Sequence, residues 1–315
     1  MGIGDDFEPT PLLAILKERR EHVNSTLEFY IKNLCTLHWL ADALGANELD
    51  TVVALARLPT GIVKCCKTTP AEFEQALRGG IGSELLVLDT SAIVTLTLLE
   101  GWSYLDRNKR YIVSRATREH VECWRSNPSE QLANEGGHIS ITADNQPVFQ
   151  RTTEAQREVR RRGLENIRRM IETHCECRSS EAVAALDPEK RKDLEQVAGY
   201  HNVESVCLAK ELGAVLWTDD LGLSLIAKTE FGVNSVWTQL ALRCFVDGSH
   251  FTMEDFNLVS AKLAAWNYTD ILWNADTIIS AGEYVNWDIQ PLPVAIARAD
   301  ARGADEGSAL GTGKR

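Results

Sequence analysis

The stretch LLVLDTS, residues 85–91, predicts a buried β-strand that ends on Asp89 and leads into a helix. The stretch AVLWTDD, residues 214–220, repeats this arrangement, because its apolar run ends on Thr218 and the pair Asp219-Asp220. In an open parallel sheet, ligands bind at the carboxyl ends of the strands. We therefore expect an acidic cluster at that edge, and such a cluster usually holds divalent cations.

Length and composition indicate an ordinary folded protein. The chain has 315 residues, of which 44% are hydrophobic and 25% are charged, so we expect one main domain with helical additions. The formal net charge of −12 repels nucleic acid at long range, so a nucleic-acid substrate would need a local basic surface or bound metal ions. The sequence shows no signal peptide and no apolar stretch long enough to cross a bilayer, and its eight cysteines suit a reducing compartment. These features predict a cytoplasmic protein without membrane contact.

The chain divides into four predicted parts. Residues 1–80 show apolar residues at helical spacing and predict a wholly helical N-terminal domain that ends at a glycine-rich joint, residues 79–83. Residues 84–242 alternate between strand and helix patterns, which favours an α/β domain with a central parallel sheet flanked by helices. Within them, residues 127–150 predict a loop or a short hairpin. Residues 243–298 predict a C-terminal helical extension, and residues 299–315 a disordered tail.

Acidic residues recur at the strand ends of this alternating pattern. Asp89 follows the first strand, Glu119 lies in the helix after the second, Glu204 lies near the start of a later helix, and Asp219-Asp220 follow the next strand. Any one of these acids is explained equally well as a helix cap or a carboxylate in a first helical turn. Together, at the ends of successive strands, they favour a shared catalytic cleft.

This order of residues resembles the PIN-domain nucleases over about residues 85–242. The matching stretches are LVLDTS at 86–91, SRATRE at 114–119, ESVCLAKELG at 204–213 and LWTDD at 216–220. The second stretch departs from the pattern, because relatives often place a glutamate three residues after the threonine and this chain has His120 there. Glu119 is the preferred candidate for that acid, and Glu122 is its alternative. Some relatives also carry an acid where Asn202 stands.

The resemblance implies an endoribonuclease that hydrolyses RNA phosphodiester bonds with Mg²⁺ or Mn²⁺, since hard cations prefer oxygen ligands and can activate a bound water. RNA rather than DNA is implied by the resemblance alone. The implied catalytic residues are Asp89, Glu119, Glu204 and Asp220. The implied metal ligands are Asp89, Glu204, Asp219 and Asp220, with Thr90, Ser91 and Thr218 orienting a carboxylate or a metal-bound water.

The segment from residue 151 to 170 is rich in arginine and carries apolar residues at helical spacing. Guanidinium groups match phosphate geometry, so this helix predicts an RNA-binding surface through Arg157, Arg160, Arg161 and Arg168. The alternative is a solvated helix face whose arginines are balanced by Glu154, Glu158 and Glu165.

Three other interpretations carry different functions. A catalytically inactive PIN-like fold could serve as a binding module in a larger assembly. In either case the N-terminal helical domain is a candidate surface for a protein partner. A phosphorylation-controlled receiver is disfavoured, because its acidic pair lies early in the chain and the pair Asp219-Asp220 lies late. A zinc site at residues 174–177 is disfavoured, because only the adjacent pair Cys65-Cys66 could complete it.

Overall fold

The computed structural model describes residues 9–32, 35–58, 61–66, 74, 76–78, 83–126, 138–142, 144, 146–246 and 251–284. The predicted glycine-rich joint falls on residues 79–83, of which only Ser83 is described, and the predicted tail at residues 299–315 lies outside the described residues. No helix within the described part of the chain is both long and apolar enough to span a membrane.

The N-terminal part combines helices with one short strand. Thr36 and Asn47 are the N-caps of its second and third helices, and their side chains accept hydrogen bonds from Trp39 N and Asp50 N. The prediction of a wholly helical segment is wrong at the strand, because residues 63–64 pair in parallel with residues 268–269 from the far end of the chain. The elements are α1 (Pro9–Ile31), α2 (Leu37–Leu44), α3 (Glu48–Arg57) and β1 (Val63–Lys64).

The middle of the chain alternates between strands and helices, as predicted. A 3-10 turn follows its first helix, and a short antiparallel hairpin occupies part of the region predicted as a loop or hairpin. The elements are β2 (Leu85–Leu88), α4 (Thr90–Leu98), β3 (Arg110–Ser114), α5 (Arg115–Ser126), β4 (His138–Ile141), β5 (Pro147–Gln150), α6 (Glu154–His174), β6 (Cys175–Arg178), α7 (Pro188–Ala198), α8 (Tyr200–Leu212), β7 (Val215–Trp217), α9 (Leu221–Phe231), β8 (Ser235–Val236) and α10 (Thr238–Arg243).

The C-terminal part is mainly helical, with one strand that the sequence pattern did not predict. Thr252 and Asp255 form a reciprocal capping box at the start of its first helix. The elements are α11 (Met253–Ala265), β9 (Tyr268–Thr269) and α12 (Ala275–Tyr284).

Five parallel strands form the central sheet in the order β6-β3-β2-β7-β8. The chain runs from β2 to β3 on one side and reaches β7 on the other, so the order reverses at β2. Ligands of such sheets bind at the carboxyl ends of the strands beside this point. Leu88 pairs with Trp217, which places Asp89 and Thr218 at the same level on this edge.

Both faces of the sheet are covered, which explains the continuous apolar runs of its strands. Successive side chains alternate between faces, so Leu86 and Leu88 enter one hydrophobic cluster and Val87 enters the other. The first cluster also contains Leu40 of α2 and Val259 of α11. The N-terminal and C-terminal helices therefore share a core with the sheet, and α2 is held close to its carboxyl edge.

Candidate functional site

Asp89 lies at the end of β2 and caps α4. Its Oδ1 accepts the Ala92 N–H at 2.8 Å, and its Oδ2 accepts the Thr218 hydroxyl at 2.6 Å. The Ser91 hydroxyl lies 2.8 and 2.9 Å from the two carboxylate oxygens. The side chain is completely buried, and burial is the largest cause that raises its pKa to about 8.

Asp219 and Asp220 follow β7 and are also buried. Asp219 accepts hydrogen bonds from the backbone N–H of Thr238, at 2.8 Å, and from the hydroxyl of the same residue. Asp220 caps α9, because its Oδ1 accepts the N–H groups of Gly222 at 2.9 Å and Leu223 at 3.3 Å. Burial raises the pKa of each of the two aspartates to about 6.

Asp89, Asp219 and Asp220 are all buried at the ends of the adjacent strands β2 and β7, and we call these three residues the buried carboxylate group. Ser91 and Thr218 connect them: the Asp219 N–H donates to the Ser91 hydroxyl at 2.8 Å, and the Asp220 N–H donates to the Thr218 hydroxyl at 3.1 Å. The charge of Asp220 adds to the rise in the pKa of Asp89. Two of the three predicted orienting hydroxyls thus contact a carboxylate.

Glu204 has different partners. Its Oε2 accepts the N–H of Ala116, in the first turn of α5, at 2.7 Å, and its Oε1 accepts the N–H of Ser180 at 3.2 Å. An acid at a helix N-terminus satisfies a backbone donor and interacts favourably with the helix dipole. These hydrogen bonds tie α8 to α5 and to the end of β6, and they do not join Glu204 to the buried carboxylate group.

The two candidates for the acid in α5 both face solvent. Glu119 is exposed, and its charge contributes to the raised pKa of Tyr200. Glu122 is also exposed and forms an ion pair with Arg118 at 3.2 Å. The contacts of the described residues do not connect either glutamate to the buried carboxylate group.

Thr90 and Asn202 form a separate buried contact. The Thr90 hydroxyl donates to the Asn202 Oδ1 at 3.3 Å, and the Asn202 amide donates to the carbonyl of Ala198 at 3.0 Å. Thr90 was predicted to orient a carboxylate or a metal-bound water, and here it orients the amide of Asn202.

The N-terminal part covers the buried carboxylate group. The Leu37 N–H, at the start of α2, donates to Asp220 Oδ2 at 2.7 Å. The backbone just before α2 packs against α9 so closely that a Cβ on Gly222 would lie 2.8 Å from the carbonyl oxygen of Cys35. Asp220 is only 1% exposed, so a nucleic acid cannot reach its carboxylate in this arrangement.

A second group of polar side chains lies beside this cover, and we call it the His–Glu cluster: His38, Glu48, His120 and His201. One ligand atom from each residue lies within 4.8 Å of the others. The carboxylate of Glu48 is central, and the distances to it are 3.0 Å from His38 Nδ1, 3.1 Å from His120 Nε2 and 3.2 Å from His201 Nε2. Helices α2 and α3 supply two members, and α5 and α8 supply the other two.

Burial and the contacts within the His–Glu cluster shift the pKa values of Glu48, His201 and His38. Burial opposes ionisation of Glu48, but the contacts with the three histidines outweigh it and hold the pKa of Glu48 well below its usual value. Burial lowers the pKa of His201 to about 4. Burial also disfavours the charged form of His38, but the hydrogen bond and charge of Glu48 outweigh it and raise the pKa of His38. Glu48 is therefore a buried anion within a group of imidazoles.

Sequence reasoning found only one member of the His–Glu cluster, as a departure from a pattern. His120 stands where relatives of the resembled family often have a glutamate, and the structure directs it toward Glu48. His38, Glu48 and His201 carried no sequence signal, because 10 residues separate the first two and 81 separate His120 from His201. Only the packing of α2 and α3 against the sheet domain brings them together.

The four predicted RNA-binding arginines lie on α6, and each of them has a partner inside the protein. Such pairing is typical of a solvated helix face, and it lowers the net positive charge that a phosphate backbone would meet. The contacts are Arg157 to the Thr152 carbonyl at 3.4 Å, Arg160 to Asp50 of α3 at 3.0 Å, Arg161 to Glu158 at 2.9 Å, and Arg168 to Glu165 at 2.7 Å and Glu172 at 3.0 Å.

Asp89 and Asp220 fit a hard divalent cation by their chemistry. Each carboxylate accepts three hydrogen bonds, and an ionised carboxylate offers about four acceptor positions, so each retains one position for an ion. Mg²⁺ is commonly held by only one or two carboxylates together with waters and substrate phosphates. A cation would also offset the burial that raises both pKa values, and the charge of Asp220 that adds to the rise in the pKa of Asp89.

Comparison with known proteins identifies a family for part of the chain. Residues 87–229 match the model of the PIN domain associated with the TPR-GreAB-C-PIN system. This segment is less than half of the chain and contains the central sheet from β2 to β7 with its helices. The match and the five-stranded parallel sheet confirm the predicted PIN-like fold and the resemblance over this segment. No curated protein and no solved structure matches the chain.

Proposed function

Because residues 87–229 carry a PIN domain, we propose that the chain is a metal-dependent endoribonuclease that hydrolyses RNA phosphodiester bonds. The observation that supports this proposal is that Asp89 and Asp220 follow two adjacent strands at the carboxyl edge of the sheet, beside the point where the strand order reverses, and that the charge of Asp220 affects Asp89. Neither residue is near the other in sequence, so the fold itself assembles the pair.

Asp89 and Asp220 would hold Mg²⁺ or Mn²⁺ in this proposal. Such an ion, when bound, activates a water as the nucleophile and stabilises charge on the phosphate. Ser91 and Thr218 hold the Asp89 carboxylate in place through their hydroxyls. Both carboxylate oxygens of Asp219 accept hydrogen bonds from Thr238. Asp219 would therefore hold the loop after β7 in position rather than bind the metal ion. Glu204 and Glu119 have no contact in the structure that supports their proposed catalytic roles.

Access of RNA to Asp220 requires displacement of the segment that carries Leu37. The hydrogen bond from the Leu37 N–H to Asp220 would be exchanged for the ion or substrate when the N-terminal part moves. Contacts between the N-terminal part and a partner protein could drive that movement. The matched family is named for association with a TPR-GreAB-C-PIN system, which supports a protein partner for this chain.

A second candidate function is an inactive PIN-like module that binds partners. The observation that favours it is the complete burial of the carboxylates, whose oxygens all accept hydrogen bonds from within the protein. Asn202 also stands where some relatives carry an acid. In this interpretation the aspartates are helix caps that stabilise the carboxyl edge.

Cleavage of a labelled RNA by the full chain, with Mn²⁺ and with EDTA, tests the proposal. We expect Mn²⁺-dependent cleavage that Asp89→Asn reduces by more than about 100-fold, since the substitution removes a metal ligand. Asp193→Asn, at an exposed aspartate in α7, is the matched control and should leave the rate unchanged. Equal cleavage by the Asp89→Asn protein would reject this site, and calorimetry without Mn²⁺ binding would favour the inactive module.

A further inference from the structure

The His–Glu cluster has the composition of a transition-metal site. Imidazole nitrogens suit borderline ions such as Zn²⁺, whereas Mg²⁺ and Ca²⁺ require oxygen ligands. Three imidazoles with one carboxylate therefore select a different class of ion from the buried carboxylate group. Glu48 is 2% exposed, so its charge is withdrawn from water and needs compensation within the protein.

His201 supplies an independent sign that a ligand is expected here. Its side chain is buried, and its Nε2 has no hydrogen-bond partner among the described residues. The atom lies 3.2 Å from Glu48 Oε1, which is an ion-pair distance. A buried nitrogen that is close to a carboxylate and left without a hydrogen bond costs free energy, and an ion between the two atoms would remove that cost.

The backbone around the cluster closes against the rings. A Cβ on Gly199 would lie 2.6 Å from His201 Cε1 and 2.8 Å from His38 Nε2, so no side chain fits at this position. Gly199 also has φ +78°, which favours glycine. The backbone at Gly199, between α7 and α8, therefore limits the movement of the His38 and His201 rings on this side of the cluster.

The ligand spacing is close to what an ion needs. Zinc–nitrogen and zinc–oxygen distances near 2.1 Å place neighbouring ligand atoms of a tetrahedron about 3.4 Å apart. The distances to Glu48 Oε1 are 3.0 Å from His38 Nδ1, 3.2 Å from His201 Nε2 and 3.3 Å from His120 Nε2. The rings of His120 and His201 stack with their centroids 3.7 Å apart. Two imidazoles that bind one ion point away from each other, so one of these rings would turn when an ion binds. His120 is partly exposed.

We infer that His38, Glu48, His120 and His201 bind one Zn²⁺-class divalent ion, which fastens the N-terminal helices α2 and α3 to α5 and α8 of the PIN domain. Four protein ligands fill a tetrahedral shell and leave no open position, which is typical of structural rather than catalytic zinc. His38 directly follows Leu37, whose N–H donates a hydrogen bond to Asp220 Oδ2. An ion bound to His38 would therefore hold this segment over the buried carboxylate group.

Zn²⁺ binding to the full chain tests this inference, after removal of metals with a chelator and with metal content measured by mass spectrometry. We expect one Zn²⁺ per chain in titration calorimetry. Glu48→Gln and His120→Ala should each weaken binding by more than about tenfold, since even the partners behind metal ligands cost 10- to 100-fold. His22→Ala removes an exposed histidine of α1 and should bind Zn²⁺ as the unsubstituted chain does.

Two spectroscopic readouts keep the outcome specific to this cluster. Co²⁺ in place of Zn²⁺ should give the intense visible absorption of a four-coordinate centre, and His120→Gln should abolish it in a protein whose circular dichroism is unchanged. A Co²⁺ spectrum dominated by thiolate charge transfer would place the ion on cysteines and overturn the inference. So would absent Zn²⁺ binding in the folded chain, or equal affinity in all variants.

Asp89→Asn separates this inference from the proposed nuclease. The substitution should abolish RNA cleavage and leave Zn²⁺ affinity unchanged, because Asp89 contacts no member of the His–Glu cluster in the structure. Hydrogen exchange at the Leu37 amide provides the link between the two sites. Zn²⁺ should slow that exchange in the unsubstituted chain and leave it unchanged in His120→Ala.

Discussion

The buried carboxylate group and the His–Glu cluster lie next to each other at the carboxyl edge of the sheet, but their polar atoms are satisfied in opposite ways. Every oxygen of the three aspartates accepts a hydrogen bond from a backbone N–H or a hydroxyl. In the His–Glu cluster, three imidazoles approach one carboxylate and the Nε2 of His201 has no hydrogen bond. Acidic residues at strand ends can thus serve the fold first, whereas an incompletely satisfied buried cluster indicates a ligand.

The origin of the two groups differs as well. The carboxylates come from the ends of two adjacent strands, so the sheet places them whatever the rest of the chain does. The His–Glu cluster needs two parts of the chain, because His38 and Glu48 precede the segment that matches the PIN-domain model and His120 and His201 lie within it. A change in how these parts pack would alter the cluster and leave the carboxylates together.

The largest expected effect comes from removal of an acid from the buried carboxylate group. Asp219→Ala leaves the buried N–H and hydroxyl of Thr238 without their acceptor, and we expect the free energy of unfolding to fall by about 3 kcal/mol. Chemical denaturation measures this difference. Asp193→Ala, at an exposed position within α7, should change stability by less than about 0.5 kcal/mol.

Equal stability of these two variants would contradict the structural role of Asp219. It would mean that the hydrogen bonds to Thr238 contribute nothing that water cannot replace. The hydrogen bonds of the buried carboxylate group would then contribute less to stability than their geometry indicates, and the contrast with the His–Glu cluster would be smaller.

The sequence predicts the carboxylate group because its determinants are local. Apolar runs such as LLVL at 85–88 place the strands, and parallel pairing then requires their carboxyl ends to meet. Strand β6 was not predicted, because its sequence CECR has no apolar run and most of it is exposed. Strands β1 and β9 are two residues each and depend on pairing across about 200 positions.

The helices show the same limit of sequence reasoning. Glu119 and His120 are neighbours on α5, and rotation by about 100° per residue directs one to solvent and the other to Glu48. The sequence pattern does not show which face of α5 is packed, so it favours the carboxylate of Glu119 over the imidazole of His120. Helix orientation depends on which side of α5 meets α8, and that contact is set by the whole core.

A substitution at Gly199 tests the tight backbone approach to the His–Glu cluster. Gly199→Ala places a Cβ against the rings of His38 and His201 and also strains a backbone with φ +78° and ψ +144°. We expect a loss of about 2 kcal/mol in the free energy of unfolding, in the middle of the range for strained backbone positions. Thermal or denaturant unfolding of the purified protein measures it.

Gly213→Ala is the matched control for that substitution. Gly213 ends α8 with φ +61°, and no atom lies within 4 Å of a Cβ built on it. Only backbone strain remains, so the expected loss is about 1 kcal/mol. If both variants lost the same stability, the contact between Gly199 and the two imidazoles would be looser than the distances indicate.

The smallest effect on stability is expected at Gly222, where the segment before α2 covers the carboxylates. Alanine favours a helix over glycine by about 1 kcal/mol, and Gly163→Ala in α6 should gain part of this because its Cβ meets nothing within 4 Å. Gly222→Ala should lose that gain, because its Cβ would lie 2.8 Å from the Cys35 carbonyl oxygen and 3.0 Å from Thr36 Cα.

The added methyl group would displace the segment before α2 and weaken the hydrogen bond from Leu37 to Asp220. Hydrogen exchange at the Leu37 amide should therefore accelerate in Gly222→Ala and not in Gly163→Ala. Unchanged exchange there would show that the cover tolerates an added methyl group, and that access to Asp220 is controlled by larger movements of the N-terminal helices.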